Sequence, residues 1–248
     1  MRALATIRAI LEERTALMAP ARRLRLKAAE DVLADFAAGR QIRVLDAGCG
    51  DGLLSMALAK RHPAWTIVGI DLREDMLAGA RARARGRGLD NVSFEAADLL
   101  QPLSVSGFDA VVALECLSEI PDDEAALRTM SAAVGPDGIL VAQVPDRDWQ
   151  PVLPGSATTW REQVRQGYTR GDFVAMLERV GLVSIGVRGT YRSLAAAAQE
   201  VRDRIKERSL PVRAVAFPFL ATAALLEHHG LTWGRPNALL AVGRRSAL

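Results

Sequence analysis

The feature that most constrains the fold of this chain is a glycine-rich turn between a predicted strand and a predicted helix. Residues 42–45 are apolar except for Arg43 and partly β-branched, as in a buried strand, and residues 53–61 suit a helix. Gly48, Gly50 and Gly52 lie between them. Glycine adopts positive φ without strain, and its missing Cβ lets a ligand approach the backbone. The pattern predicts a ligand-binding corner between strand and helix.

A second predicted strand, at residues 66–70, ends in an acid. Asp71 lies 19 residues after Gly52, the spacing expected for a carboxylate that binds the two hydroxyls of a ribose. Glycines alone would be a weak signal, because any α/β sheet uses glycine at some turns. Together with Asp71, they favour a ligand that contains a nucleoside.

Predicted strands and helices alternate from residue 42 onward. Such alternation builds a parallel sheet with helices on both faces and a ligand at the carboxyl ends of the strands. The predicted strands are 42–46, 66–70, 92–96, 108–113, 139–144, 182–188 and 237–245, and the predicted helices are 2–17, 22–37, 53–61, 74–86, 122–134 and 170–180.

Several motifs in order resemble those of a known enzyme family. They are Asp46-Ala-Gly-Cys-Gly-Asp-Gly52 with Asp71, then Glu95-Ala-Ala-Asp-Leu99, then Phe108-Asp-Ala-Val-Val-Ala-Leu-Glu115. The set resembles the first four motifs of the class I S-adenosylmethionine-dependent methyltransferases. It is closest to the small-molecule branch typified by quinone-biosynthesis C-methyltransferases, and it covers about residues 40–190.

The resemblance implies an α/β fold with a Rossmann-like, doubly wound, seven-stranded sheet. Its last strand would insert antiparallel beside the fifth. We expect a single methyltransferase domain over residues 1–248, made of four segments. These are an N-terminal helical cap at 1–38, the Rossmann-like core at 39–190, a helical insertion at 191–236 and the final strand at 237–248.

The resemblance also implies S-adenosylmethionine as the cofactor. Asp71 would accept both ribose hydroxyls, Leu72 and Met76 would pack on the adenine, and Asp98 would accept from its exocyclic amine. Asp46 would help to organise the amino group, and an arginine of the leading segment (Arg22, Arg23 or Arg25) would reach the carboxylate. The predicted cofactor-binding set is Arg25, Asp46, Ala47, Gly48, Cys49, Gly50, Asp71, Leu72, Met76, Ala97, Asp98, Leu99, Leu114 and Glu115.

Catalytic candidates come from two segments that depart from the family pattern. Many relatives read Leu-Glu-His-Ile-Pro after the fourth strand, and Glu119 stands where they have the histidine. A carboxylate at the mouth of a site acts as a general base if burial raises its pKa; the alternative is a solvated side chain. Some relatives carry a second histidine where this chain has Gln163, which makes the nearby Arg165 and Tyr168 substrate-facing candidates.

Two regions exceed the minimal fold. Residues 145–167 contain prolines, glycine and tryptophans with little periodicity, and we interpret them as a lid over the substrate. Residues 190–236 look like two helices, of which the second, at 212–229, holds a long uncharged stretch. That helix is a buried cap, a homodimer contact or a peripheral membrane contact, and the sequence leaves the three open.

Composition narrows the function classes. The formal net charge is +3 and the pI about 9.2, from arginines spread along the predicted helices. The two cysteines have no paired spacing and the three histidines are scattered, so we predict a cytoplasmic protein without a metal site. Aromatic residues are sparse and no Asn/Asp-Pro-Pro-Tyr/Phe tetrapeptide follows the fourth strand, which argues against nucleic acid as a partner.

The leading hypothesis is methyl transfer to a small or lipid-like acceptor at oxygen, nitrogen or activated carbon. A catalytically inactive cofactor-binding scaffold is the main alternative, because the family's histidines are missing. A nicotinamide-dependent oxidoreductase is disfavoured, since Asp46 precedes the glycines and the chain contains no Tyr-x-x-x-Lys.

Overall fold

The chain folds around one sheet of seven strands. The computed structural model describes residues 20–156, 163–205, 208, 215–216, 218–220, 222–223, 226–227, 229, 231 and 233–245. The strands are β1 (Arg43–Ala47), β2 (Thr66–Asp71), β3 (Val92–Ala96), β4 (Phe108–Leu114), β5 (Val134–Pro145), β6 (Leu182–Thr190) and β7 (Ala238–Arg245). The helices are α1 (Pro20–Ala37), α2 (Leu53–Arg61), α3 (Glu74–Gly86), α4 (Asp123–Ala133), α5 (Arg170–Arg179) and α6 (Ser193–Ile205), with a 3-10 turn at Leu117–Glu119.

The strand order explains where a ligand can bind. It runs β3-β2-β1-β4-β5-β7-β6, and the pairs among β1 to β5 are parallel. β7 is antiparallel to β5, with Ile139 opposite Arg244 and Pro145 opposite Ala238. The strand order reverses between β1 and β4: β2 and β3 lie on one side of β1, and the later strands lie on the other. Such a switch point opens a crevice at the carboxyl ends of the strands. The predicted Rossmann-like sheet, with its antiparallel last strand beside the fifth, is confirmed.

Strand β5 begins earlier than the sequence predicted. The predicted strand was 139–144, but β5 starts at Val134, which pairs with Phe108 across a register shift in β4. Residues 135–138 read Gly-Pro-Asp-Gly, which is typical of a turn. The registers with β4 and β7 pair none of these four residues, and Asp137 has a φ of 58°, so the turn is kept while Val134 before it extends the strand.

Side-chain caps fix the starts of two helices near the site. Asp122 Oδ1 accepts a hydrogen bond from the Ala125 N–H at 2.9 Å, before α4. Thr169 Oγ1 accepts from the Asp172 N–H at 3.1 Å, before α5. Each cap satisfies a backbone donor at the helix N-terminus, so both helix starts are held close to where the preceding loops end.

The main core lies between the sheet and the helices that cover it. Phe108 of β4, Leu127 and Met130 of α4, and Phe173 of α5 are fully buried in one cluster with the inward side chains of β1 and β5. Complete burial of such a side chain contributes about 1.5–3 kcal/mol. This packing holds α4 and α5 on the sheet and so fixes the loops at its carboxyl edge.

The described residues group into two compact units. The larger contains Ala28–Asp148, Thr159–Arg188 and Ala238–Leu248, and the smaller contains Met1–Lys27, Trp149–Thr158 and Gly189–Asn237. The predicted single domain with four segments stays a prediction. Predicted helix 2–17 lies outside the described residues, as does much of 212–229, whose described members between 215 and 227 are helical.

Buried carboxylates organise the smaller unit. Glu200 of α6 accepts hydrogen bonds from the N–H groups of Val152 and Leu153, each at 2.8 Å, and from Ser156 Oγ at 2.7 Å. Glu227 accepts from the Ala195 N–H at 2.8 Å, at the start of α6. The first part of the predicted lid is therefore anchored to the helical insertion. None of the helices described in either unit has both the length and the apolar character needed to cross a membrane.

Candidate active site

The glycine-rich turn leaves β1 and folds across the end of β2. Gly48, Gly50 and Gly52 all have positive φ, at 72°, 54° and 69°. The N–H groups of Gly48 and Cys49 both donate to the carbonyl oxygen of Ile70 at 2.9 Å. The turn is thereby fixed against β2 before α2 begins.

Two of these glycines are required by packing against side chains. A Cβ on Gly48 would lie 2.6 Å from the Cβ of Cys116, and one on Gly52 would lie 2.5 Å from Cε1 of Phe94. A Cβ on Gly50 would meet only the Arg73 guanidinium, at 3.6 Å. Ligand approach was the predicted reason for the glycines. A different reason applies at Gly48, which contacts Cys116 in the loop after β4, and at Gly52, which contacts Phe94 of β3.

Asp71 joins the end of β2 to the turn. Its Oδ2 accepts the Gly50 N–H at 2.7 Å, and its Oδ1 accepts the Arg73 N–H at 3.0 Å and Nε–H at 3.3 Å. The carboxylate is buried. Arg73 was not predicted from the sequence, because nothing in its local pattern distinguishes it from a solvated charge. A carboxylate has about four acceptor positions, so Asp71 retains capacity for a further donor.

Asp46, at the end of β1, is a buried acid. It is 2% exposed and accepts a hydrogen bond from Ser55 Oγ of α2 at 2.5 Å. Burial raises the pKa of Asp46 from 3.8 to about 6, and repulsion from Asp71 and Asp51 adds to the rise, while the Ser55 hydroxyl opposes it. Sequence reasoning missed Ser55, although a serine in the first turn of a helix beside a strand acid is a recognisable partner.

The predicted adenine surface follows β2 and β3. Leu72 is 71% exposed and Met76 is half-buried, so both present apolar surface. Asp98 is half-buried, and its Oδ1 accepts the Leu100 N–H at 2.9 Å. The Ala97 N–H donates to the Asp71 carbonyl oxygen at 3.0 Å, and this bond holds the two segments together.

The segment after β4 reaches the glycine-rich turn. Leu114 ends the strand, and Glu115 follows with φ of 69°, a left-handed conformation that is uncommon for a residue with a Cβ. Cys116 Sγ lies 3.4 Å from the carbonyl oxygen of Ala47. Burial raises the pKa of both thiols, Cys49 and Cys116, which keeps them protonated and unreactive.

The three predicted catalytic side chains have different surroundings. Glu119 is exposed in the 3-10 turn. Tyr168 is buried, and its hydroxyl donates to Asp123 Oδ2 at 2.6 Å. Arg165 Nη1 lies 2.9 Å from the same oxygen, and its guanidinium lies 5.4 Å from the centre of the Tyr168 ring. Their catalytic roles stay predictions.

Asp123 is the residue that sequence reasoning missed in this cluster. It is the first residue of α4, where an acid is common simply because of the helix dipole. Burial and the Asp123 carboxylate both raise the pKa of Tyr168, so its phenol is a hydrogen-bond donor and not a base. The cluster attaches the end of the predicted lid to the start of α4.

Backbone bonds complete this attachment. The Val164 N–H donates to the Ser118 carbonyl oxygen at 2.9 Å, and the Tyr168 N–H donates to the Pro145 carbonyl oxygen at 3.0 Å. Gly167 passes so close to β5 that a Cβ would lie 2.5 Å from the Pro145 oxygen. The segment from Val164 to Tyr168 is therefore positioned between the loop after β4 and the end of β5.

Arg25, the predicted ligand of the cofactor carboxylate, belongs to the smaller unit. Its Nη2 donates to the Tyr191 hydroxyl at 3.2 Å, and its guanidinium lies 5.7 Å from the ring centre. Its predicted role stays a prediction. Among the described residues, no three His, Cys, Asp or Glu side chains are placed to hold a metal ion.

Comparison with known proteins gives the family. Residues 39–181 match the family model described as a methyltransferase domain, which is more than half of the chain. The chain belongs to the methyltransferase-domain family. The predicted resemblance to class I S-adenosylmethionine-dependent methyltransferases is confirmed, and the oxidoreductase alternative is set aside.

Two curated relatives are similar to parts of this chain. A trans-aconitate 2-methyltransferase from Variovorax paradoxus is 30% identical over 71% of this chain and 65% of its own length. A ubiquinone biosynthesis O-methyltransferase from Neisseria meningitidis is 34% identical over 40% of this chain and 42% of its own. The matched regions thus span less than two thirds of either relative.

A solved structure shares the fold. The magnesium protoporphyrin IX methyltransferase from Synechocystis, determined with bound S-adenosylhomocysteine, superposes with a TM-score of 0.58. It is 17% identical in sequence, and the match covers 91% of this chain and 85% of that one. At this identity the likeness extends to the fold alone.

Proposed function

We propose that the protein is a cytoplasmic S-adenosylmethionine-dependent methyltransferase that acts on a small-molecule or lipid-like acceptor. The observation that carries the proposal is the Asp71 carboxylate at the end of β2, held by the Gly50 N–H at 2.7 Å. This acid ends β2, which is next to β1, and the strand order reverses on the other side of β1. Sheets of this kind bind nucleotides at that switch point.

The residues around Asp71 fit each part of the cofactor. A buried carboxylate suits the two ribose hydroxyls, and the exposed apolar surface of Leu72 with Met76 suits an adenine ring. Asp98 suits the exocyclic amine. Glu115 and the buried Asp46 bring negative charge to the other side of the turn, where the methionine portion would lie. These acceptor and apolar side chains therefore match the ribose, the adenine and the amino group of S-adenosylmethionine in charge and polarity.

Catalysis would depend mainly on orientation. S-adenosylmethionine supplies a methyl group that its positive sulfonium already activates. The chain's part is to hold cofactor and acceptor in line and to exclude water, and orientation of this kind can lower a barrier by several kcal/mol. The turn, fixed to Ile70 by two backbone bonds, and the loop after β4, fixed to residues 164–168, provide rigid walls for that purpose.

Proton removal from the acceptor is assigned to Glu119. It lies in the 3-10 turn directly after Cys116, whose side chain contacts the glycine-rich turn. Glu119 is exposed in this structure, so a bound acceptor would have to bury the carboxylate before it accepts a proton from a hydroxyl or amine. Tyr168 and Arg165 would shape the acceptor pocket through Asp123 and not move the proton themselves, because the phenol stays protonated.

Support for the acceptor class comes from the relatives and from the smaller unit. The curated relatives are named for trans-aconitate and for ubiquinone biosynthesis, so an anionic small molecule and a quinone precursor are the first acceptors to test. In the insertion, Val215 is 82% exposed and Phe219 is 62% exposed. Such side chains suit a lipid-like acceptor, a membrane surface or a second copy of the chain.

A cofactor-binding scaffold without catalysis is the second candidate. It is favoured by the commitment of the Tyr168 hydroxyl and the Arg165 guanidinium to Asp123. Of the three predicted catalytic side chains, Glu119 and Arg165 are exposed, and Arg165 is ion-paired with Asp123.

Release of S-adenosylhomocysteine separates the two candidates. The protein is incubated with S-adenosylmethionine and a panel of carboxylic acids, catechols and polyprenylated phenols, beside Glu119→Gln and the exposed control Glu178→Gln. We expect turnover with at least one acceptor, a fall in kcat of at least about tenfold in Glu119→Gln and none in the control. Cofactor binding without turnover on the whole panel would support the scaffold.

A further inference from the structure

Arg73 occupies part of the acceptor surface that the proposed function assigns to a ribose. Its Nε–H donates to Asp71 Oδ1 at 3.3 Å, and its backbone N–H donates to the same oxygen at 3.0 Å. Neither the motifs nor the roles above give Arg73 a task. A cation bonded to a carboxylate that a ligand would use affects how that ligand binds.

The two oxygens of the Asp71 carboxylate are unequally occupied. Among the described residues, Oδ2 accepts one donor, the Gly50 N–H at 2.7 Å, whereas Oδ1 accepts both donors from Arg73. A carboxylate oxygen has about two acceptor positions. One position on Oδ2 is therefore open, and both positions on Oδ1 are taken.

A ribose needs more than one open position. Its two hydroxyls are on adjacent carbons, so a carboxylate that accepts both uses one oxygen for each. The hydroxyl that faces Asp71 Oδ2 meets an open position. The hydroxyl that faces Oδ1 can bind only after one of the two donors from Arg73 has left.

The backbone donors to Asp71 are fixed by other bonds. The Arg73 carbonyl oxygen accepts the N–H groups of Met76 and Leu77, at 3.1 and 3.2 Å, so its backbone belongs to the start of α3. Gly50 lies in the turn that backbone bonds fix to the end of β2. Neither backbone N–H can leave Asp71 without the loss of further bonds.

The guanidinium of Arg73 is the donor that can leave. The side chain is 51% exposed, and a half-exposed ion pair contributes little to stability. Its Nη2 lies 3.6 Å from the place where a Cβ on Gly50 would be, so the side chain extends over the glycine-rich turn. Water can replace its bond to Asp71 once it moves away.

We propose that Arg73 is a specificity-determining residue whose side chain competes with one ribose hydroxyl for Asp71 Oδ1. The competition lowers the affinity for ligands that carry both hydroxyls. The inference rests on the proposed function, because it requires that an S-adenosyl ligand places its ribose on Asp71. Removal of the Arg73 side chain should then favour binding, which is the opposite of what the loss of a ligand contact would give.

Two ligands isolate the competition from other effects of the side chain. S-adenosylhomocysteine carries both ribose hydroxyls, and its 2′,3′-dideoxy analogue carries neither. Arg73→Met retains an unbranched side chain and removes every side-chain donor. Calorimetry should show S-adenosylhomocysteine binding about two- to fivefold more tightly to the variant, the gain expected when a weak ion pair no longer competes. The Kd of the dideoxy analogue should stay within about 1.5-fold.

Arg128→Met is the matched control. It also removes one positive charge and an exposed ion pair, here with Glu124 at 3.2 Å in α4, and it should change neither affinity.

A measurement on the unmodified protein keeps the test decisive if Arg73→Met does not fold. NMR can follow proton exchange with water at Arg73 Nε, which the bond to Asp71 slows. S-adenosylhomocysteine should make this exchange faster, and the dideoxy analogue should not.

Weaker binding of S-adenosylhomocysteine by Arg73→Met would overturn the proposal and would make Arg73 a contact of the ligand. An equal gain for both ligands, unchanged affinity for both, or exchange at Nε that S-adenosylhomocysteine leaves unchanged would also overturn it. Failure of the unmodified protein to bind S-adenosylhomocysteine would instead overturn the proposed function, so the two failures are distinct.

Discussion

Asp46 shows how one residue couples the site to stability. Burial raises its pKa from 3.8 to about 6, so between about pH 4 and 6 the folded chain holds a proton that the unfolded chain has released. Stability from this group therefore falls as pH rises through that window and stays lower above it. The rise corresponds to about 3 kcal/mol.

Asp46→Asn should remove this pH dependence. The amide can still accept from Ser55 Oγ but carries no charge to desolvate. Urea denaturation should show the variant gaining on the natural protein as pH increases from about 4 to about 7, by up to about 3 kcal/mol. The same difference in unfolding free energy at both pH values would contradict the assignment.

At the scale of elements, the segment before α5 depends on the cluster around Asp123. Tyr168→Phe removes the hydroxyl that donates to Asp123 at 2.6 Å and leaves a buried carboxylate with one partner fewer. We expect the free energy of unfolding to fall by about 1–3 kcal/mol.

A double-mutant cycle checks the partner. In an Asp123→Asn background, Tyr168→Phe should lower the free energy of unfolding by clearly less, since the charged acceptor is gone. Additive losses in urea denaturation would mean that the two side chains are not coupled.

The first part of the predicted lid depends on α6. Glu200→Gln leaves one acceptor oxygen for three donors, namely the Val152 and Leu153 N–H groups and Ser156 Oγ. The segment should loosen, because each bond to a charged acceptor contributes about 1.5–3 kcal/mol. Limited chymotrypsin digestion should then cut faster after Trp149, as read by mass spectrometry.

The control for this experiment is Glu178→Gln, an exposed carboxylate in α5. It should digest at the natural rate. Equal digestion of the natural protein and Glu200→Gln would show that Glu200 does not anchor the segment.

For the whole molecule, local sequence patterns were sufficient to predict the strands and helices of the sheet. They were insufficient to predict which side chains contact the site residues. The helix bounds 53–61 and 74–86 and the strand 92–96 match the structure, because hydrophobic periodicity and the glycine turn are local signals. Asp71 and Asp46 were predicted by position in a motif. The start of β5 was not, since it depends on pairing with Phe108.

Some missed site residues act through contacts that are distant in sequence. Asp123 is 45 residues from Tyr168, and an acid at the start of a helix is common in any case. Others lie near the predicted residue and still give no signal, as Arg73 does two residues after Asp71. Ser55 differs, because a serine in the first turn of the helix after a strand acid can be recognised as its partner.

The central claim is that the turn after β1 and Asp71 form a site for an adenosyl cofactor. Calorimetric titration with S-adenosylhomocysteine tests it most directly, run with Asp71→Ala and with NAD as the competing nucleotide. The matched control is Asp109→Ala, which also loses a carboxylate that accepts a backbone N–H, here Arg43 at 2.7 Å, at the opposite edge of the sheet. We predict binding that weakens about ten- to a hundredfold in Asp71→Ala, stays unchanged in Asp109→Ala and is absent for NAD. No binding by the folded protein, or equal binding by Asp71→Ala, would contradict the claim.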